Sequence, residues 1–157
     1  MPDTSFFSPG ILPRRADAFL HRFKRDTTKR GDPTVILIIG AAAAGKRAFA
    51  ETLGYTPADM ADARLDDRPV LFNLQEMVWP APDRIGELLP RLLEKEAVLC
   101  DEVGSGVIPV AGNEAAARRA VGKLCILLAQ QAACVVRVVC GIPTVIKGTL
   151  PQSRSAD

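Results

Sequence analysis

The stretch Thr34-Val-Ile-Leu-Ile-Ile39-Gly40-Ala-Ala-Ala-Ala-Gly45-Lys46-Arg47 decides the fold. Its first half is an unbroken apolar run rich in β-branched residues, with no alternation that would leave one face wet. It therefore reads as a strand buried on both faces of a parallel sheet. Such a strand needs helices above and below it and opens an alternating α/β unit. The second half turns sharply, with two glycines bracketing four alanines, and a helix is predicted from about Gly45 to Leu53.

The same alternation continues outward. Pro69-Val-Leu-Phe-Asn-Leu74 predicts a second strand. A helix is expected from about Asp83 to Glu94, with Ile85, Leu88, Leu89 and Leu92 at core spacing and Pro90 as a point of bending. Ala97-Val-Leu-Cys-Asp101 is a third strand, running into the Gly-rich loop Glu102-Val-Gly-Ser-Gly-Val-Ile-Pro109. Asn113 is placed to cap a long helix reaching about Gln131. A fourth strand, Cys134-Val-Val-Arg-Val-Val-Cys140, closes into Gly141-Ile-Pro143. The fold class is α/β, a P-loop NTPase-like parallel sheet with helices on both faces. Ligands of such sheets bind at the carboxyl ends of the strands, where Gly40, Glu102 and Gly141 should gather.

With 157 residues the chain has the length of a single domain and of one hydrophobic core. The domain is assigned to residues 33–148, with a loose tail at 149–157. Residues 1–32 form a basic extension, whose 14–30 stretch sets Arg14, Arg15, Arg22, Lys24, Arg25, Lys29 and Arg30 against only Asp17 and Asp26. Within it Ala16, Phe19, Leu20 and Phe23 recur at helical spacing. That pattern suits a short helix docking its Phe face on the domain, or one that meets an anionic partner or a membrane surface. A composition of 48% hydrophobic and 24% charged residues excludes disorder over the whole length, and a net charge of +2 makes no case for nucleic acid. The four cysteines show no CxxC spacing and read as buried thiols of a reducing compartment. No apolar stretch approaches the roughly 20 residues of a membrane span, and no signal peptide opens the chain. The expected setting is cytoplasmic.

Gly40 to Lys46 satisfies the GxxxxGK pattern of a phosphate-binding loop, in the strand-to-helix context that its mechanism requires. Small residues at Ala41, Ala42, Ala43 and Ala44 let backbone N–H groups approach phosphate oxygens, the helix after Gly45 adds its positive N-terminus, and Lys46 meets the outer phosphates. GTP or ATP is the expected ligand. The plainer alternative is a strand-to-helix turn in which Gly40 and Gly45 relieve crowding and Lys46 is solvated. At the next position a Ser or Thr hydroxyl would bind the Mg²⁺ that bridges the phosphates, but the guanidinium of Arg47 has no lone pair to offer. Arg47 either neutralises phosphate charge or points into solvent. The second strand presents Asn73 where an acid normally helps to place the metal, so the usual Mg²⁺ ligands are absent. Glu76, Asp101 and Glu102 are the available substitutes, and each also reads as an ordinary surface or capping acid.

Three stretches together resemble the adenosylcobinamide kinase and adenosylcobinamide-phosphate guanylyltransferase family. They are Gly40 to Lys46 after its strand, Asp101-Glu-Val-Gly-Ser-Gly-Val-Ile-Pro109, and Val138-Val-Cys-Gly-Ile-Pro143 with Lys147. In the middle stretch Glu102, Val103, Gly104, Gly106 and Pro109 keep the register of the family's Asn-Glu-Val-Gly loop, and Arg118 and Gly122 follow without a gap. The resemblance spans about Val35 to Lys147, with a deletion in the middle. It implies phosphorylation of the aminopropanol hydroxyl of adenosylcobinamide at the expense of GTP or ATP, with Lys46 and Glu102 as the catalytic pair. It also implies a corrinoid partner near Glu102 and a homo-oligomer, in the family a trimer. The family's second reaction, GMP transfer, passes through a histidine. The single histidine here, His21, lies in the basic extension, so that step has no aligned nucleophile. Two further functions fit the same residues: a non-catalytic nucleotide or corrinoid sensor, and a small kinase for another metabolite.

Overall fold

The computed structural model describes residues 34–103 and 112–151. The basic extension with His21, the glycines and proline of the 104–109 segment, and the end of the tail lie outside the described residues.

The deciding stretch forms β1, Ile36–Gly40, followed by α1, Lys46–Thr52. Then come β2, Met60–Asp62, β3, Val70–Phe72, and the short helix α2, Leu74–Val78. Helix α3 spans Ile85–Leu92, β4 Ala97–Asp101 and α4 Gly112–Gln131. The last two elements are β5, Cys134–Val139, and β6, Ile142–Gly148. The six strands form one sheet in the order β2-β3-β4-β1-β5-β6, parallel except that β6 runs antiparallel to β5. The protein is therefore an α/β protein built on a mostly parallel sheet.

Successive strand residues point to opposite faces, and over β1 and β4 both faces are covered. Ile36 and Ile38 of β1, Leu99 of β4 and Val136 of β5 pack with Phe49, Ala50 and Leu53 of α1 and its exit on one side. The intervening Leu37, Leu71, Val98 and Cys100 are just as buried. They face the side on which α4 packs against α2 and α3. The right-handed crossover rule explains this split. The connection from β1 to β2 travels one way across the sheet, whereas those from β3 to β4 and from β4 to β5 travel the other way, so they must cover opposite faces.

Several expected elements are revised. Leu74, expected at the end of the second strand, starts α2, because Asn73 takes a left-handed conformation (φ 56°) and turns the chain. Asn113 lies inside α4 and not at its cap, since the helix already includes Gly112. Pro90 is accommodated within α3. The purely parallel sheet gains an antiparallel edge. Cys140 and Gly141, both at positive φ, make a two-residue hairpin that sends Ile142–Gly148 back along β5. That hairpin also lifts Cys140 out of the apolar environment assigned to it: Cys100 and Cys134 are buried, Cys125 is half-buried and Cys140 is exposed. Strand β2 was absent from the sequence reading. It pairs in parallel with β3 after the short 63–69 connection. Lys95 braces that connection by donating to the carbonyls of Asp66 and Arg68 (2.7 Å to the latter), and Arg68 donates to the Met60 carbonyl at 2.8 Å. Among the described residues no helix is long and apolar enough to cross a membrane.

Candidate functional site

Connections leave β1 and β4 toward opposite faces, so the crevice between their carboxyl ends is the switch point at which open α/β sheets bind ligands. In register there, Gly40 lies beside Asp101.

The 40–46 loop fits closely into its surroundings. A Cβ on Gly40 would fall 2.4 Å from the Val138 carbonyl oxygen of β5, so no side chain fits. Gly45 holds φ 96°, and a Cβ there would come within 3.1 Å of the Gly141 Cα. Between them Ala43 adopts φ 57°, a conformation uncommon outside glycine and found where the surrounding structure enforces it. The enforcing bonds are Ala44 N–H to the Ala41 carbonyl (3.1 Å), Gly141 N–H to the Ala44 carbonyl (2.8 Å) and Glu102 N–H to the Gly40 carbonyl (2.9 Å). Gly40, Glu102 and Gly141 are thus brought together, as their places at strand ends require. The loop delivers the chain to the N-terminus of α1, whose first N–H groups have no intrahelical acceptor.

Lys46 folds back over this loop. Its ammonium donates to the carbonyls of Gly40 (3.1 Å) and Ala41 (2.7 Å) and lies 2.5 Å from Asp101 Oδ1, with the side chain only 10% exposed. The solvated lysine of the simple-turn alternative is therefore not what forms. Arg47 lies at the mouth, half-exposed, its guanidinium 5.2 Å from the Phe72 ring centroid and 3.9 Å from Glu51.

A cleft of about 320 Å³ opens here, lined by Ala43 to Arg47, Phe72, Asn73, Leu99 and Asp101. Asn73 donates to Asp62 at 2.8 Å. Gln75, buried beneath the cleft, accepts from the Asp101 N–H at 3.0 Å and reaches the Asn73 side-chain oxygen at 3.5 Å, tying the ends of β3 and β4 together. Glu102 points elsewhere: Arg137 of β5 grips its carboxylate through two bonds of 2.7 and 3.0 Å, spanning the end of β1. Glu76 is exposed in the first turn of α2, outside the cleft lining.

Of the three acids put forward as metal substitutes, Asp101 is thus the one that lines the cleft. Magnesium is commonly held by one or two carboxylates together with oxygens of its ligand, and Asp101, lining the cleft beside the 40–46 loop, is the carboxylate that could take part. Gln75, Phe72, Leu99 and the Arg137 clamp were not singled out from sequence. Their signal is purely tertiary, since a lone glutamine or phenylalanine carries no motif.

No protein-family model matches this chain, and a search of curated proteins returns no match.

Proposed function

We propose that this protein is a P-loop nucleotide-binding protein that transfers the terminal phosphoryl group of GTP or ATP to the hydroxyl of an adenosylcobinamide-type corrinoid. The observation that carries the reading is the position of the glycine-bounded loop and Lys46 at the carboxyl end of β1, with Gly40 in register beside Asp101, Lys46 2.5 Å from the Asp101 carboxylate and the loop open to a cleft. Glycine at 40 and 45 lets the backbone come close to a phosphate chain, the start of α1 supplies N–H groups and a positive dipole end, and Lys46 supplies charge. Arg47, held over Phe72 at the mouth, is placed to neutralise outer phosphate charge. Phosphoryl transfer relies mainly on position and charge, so this set of groups suffices in kind. Mg²⁺, when bound, would neutralise the developing phosphate charge, with Asp101 as its protein ligand. The corrinoid as acceptor rests on the resemblance of the 101–109 and 138–147 stretches, and Glu102, gripped by Arg137, stands at the entrance of the first.

A second reading, the non-catalytic sensor, draws on one observation: the position after Lys46 carries a cation-stacked arginine where a metal-binding hydroxyl would be needed. One experiment separates the two. Calorimetric titration with GTP and ATP, followed in the same samples by mass spectrometry of adenosylcobinamide, should show binding that Lys46→Ala weakens at least about tenfold, and a phosphorylated corrinoid. Binding without product selects the sensor. Binding and turnover that ignore the corrinoid select a kinase for another metabolite. No binding at all removes the nucleotide reading.

A further inference from the structure

We propose that Cys100 and Cys125 form a dithiol oxidation site: a small peroxide converts the pair to a disulfide that ties β4 to α4 behind the candidate site, and a dithiol reductant restores it. This chemistry stands apart from nucleotide binding.

The sheet separates the four cysteines. Cys134 belongs to the core on the α1 side with Phe49 and Ala50, and Cys140 is exposed at the hairpin. Cys100, the fourth residue of β4, faces the other side, where α4 packs. Val121, Leu124 and Leu128 of α4 are fully buried, and Cys125, one turn beyond Val121, flanks that stripe. The Cys100 and Cys125 thiols are in hydrogen-bond contact across this strand–helix interface. Both stand within regular elements, so the contact is built into the packing and does not wait on a loop movement.

Exposure assigns the roles. Cys100 is fully enclosed, whereas Cys125 is half-buried. A buried thiol alone is inert because oxidants do not reach it. A buried thiol that touches a reachable one needs only to meet the product formed on its neighbour. Peroxide therefore reacts at Cys125, whose sulfur takes one oxygen as the O–O bond breaks, giving a sulfenic acid and one water. The Cys100 sulfur then attacks the Cys125 sulfur, the S–O bond breaks, and the hydroxyl leaves with the Cys100 proton as a second water. Two electrons and two hydrogens pass from the pair to the peroxide, and an external dithiol returns both by exchange. The disulfide closes one residue before Asp101, whose carboxylate pairs with Lys46. It thus ties the strand end that carries the site to the helix behind it.

The test uses the full chain carrying Cys140→Ser, which removes the exposed thiol as a source of bonds between molecules. The folded protein is treated with dilute hydrogen peroxide, its remaining thiols are blocked as it is unfolded, and the digest is read by fragmentation mass spectrometry. One disulfide joining Cys100 to Cys125 should appear, with Cys134 still a free thiol, and dithiothreitol should reverse it fully. With Cys125→Ser added, Cys100 should stay reduced for as long as the protein is folded. With Cys100→Ser added, Cys125 should stop at a sulfenic acid that a dione reagent traps, and Cys100→Ala serves if the Ser variant does not fold. The disulfide map of the parent decides without either variant. Oxidised Cys125 accumulating beside reduced Cys100 in that parent overturns the pairing. So does oxidation of Cys100 in folded Cys125→Ser, and so does a pair that peroxide leaves untouched until the protein unfolds.

Discussion

Single atoms decide much at the 40–46 loop. Gly40 has no room for a methyl group because the Val138 carbonyl oxygen occupies its place, and that oxygen belongs to backbone, which does not swing aside. Gly40→Ala should therefore force β1 and β5 apart and cost about 1–3 kcal/mol, as overpacking does. Urea unfolding should show a lower midpoint with an unchanged slope. A value within error of the parent would mean that the loop relaxes where the geometry says it cannot. Ala43 and Asn73, both left-handed without being glycine, frame the same cleft. Asparagine tolerates that region better than most side chains, and the Asn73 amide is held from the neighbouring strand by Asp62.

Among the elements, α4 and the β5–β6 hairpin are joined by one side chain. Lys147 of β6 donates to the carbonyls of Ala129, Gln130 and Ala132, each at 2.9 Å, where α4 ends and its last carbonyls lack helical partners. A cation at this pole also suits the helix dipole. Lys147→Met keeps the length and removes the donors, and it should lower stability by about 1 kcal/mol. Loss of amide exchange protection should be concentrated in the last turn of α4 and in β6. Uniform loss across the sheet would refute a local capping role. The hairpin reaches the site as well, since Gly141 N–H holds the Ala44 carbonyl. The outer strand β6 is exposed along its length, with Ile142, Val145 and Ile146 uncovered.

For the whole molecule, acid and thiol chemistry probe the packing. The hydrogen bonds of Arg68 hold the Asp66 carboxyl far below its ordinary value of 3.8. A carboxylate depressed in the folded state adds stability that is complete above the unfolded value and is lost as the pH falls toward the folded one. The stability advantage of the parent over Asp66→Asn should accordingly hold at neutral pH and shrink from about pH 4 downward. A gap that widens with acid would reverse the assigned sign. Thiols should divide by place in the fold. Contact with Cys125, then burial and the neighbouring charge of Asp101, pushes the Cys100 thiol up, and burial does the same for Cys134, whereas Cys140 sits exposed at the hairpin. A thiol reagent should label Cys140 in the folded protein and reach Cys100 and Cys134 only on unfolding. Labelling of Cys100 at the rate of Cys140 would place the β4–α4 contact in error.

By itself the sequence determined the elements whose signal is local. The unbroken apolar runs at 35–39 and 97–100 specified strands buried on two faces, the apolar run at 134–139, interrupted by Arg137, specified a further strand, and the glycine-bounded turn before Lys46 specified where the first of them gives way to a helix. Local pattern could not supply β2 or β6. The first is a three-residue strand held by braces from Lys95 and Arg68. The second depends on Cys140 accepting a left-handed φ that its side chain does not announce. The site divides in the same way. Gly40, Gly45 and Lys46 were legible because the loop pattern they match has a fixed spacing along the chain. That Lys46 is closed by Asp101, that Gln75 joins Asp101 to Asn73 and that Glu102 is turned aside by Arg137 was decided only by the tertiary structure, because those pairs come from different strands and meet only when the sheet order places their ends side by side.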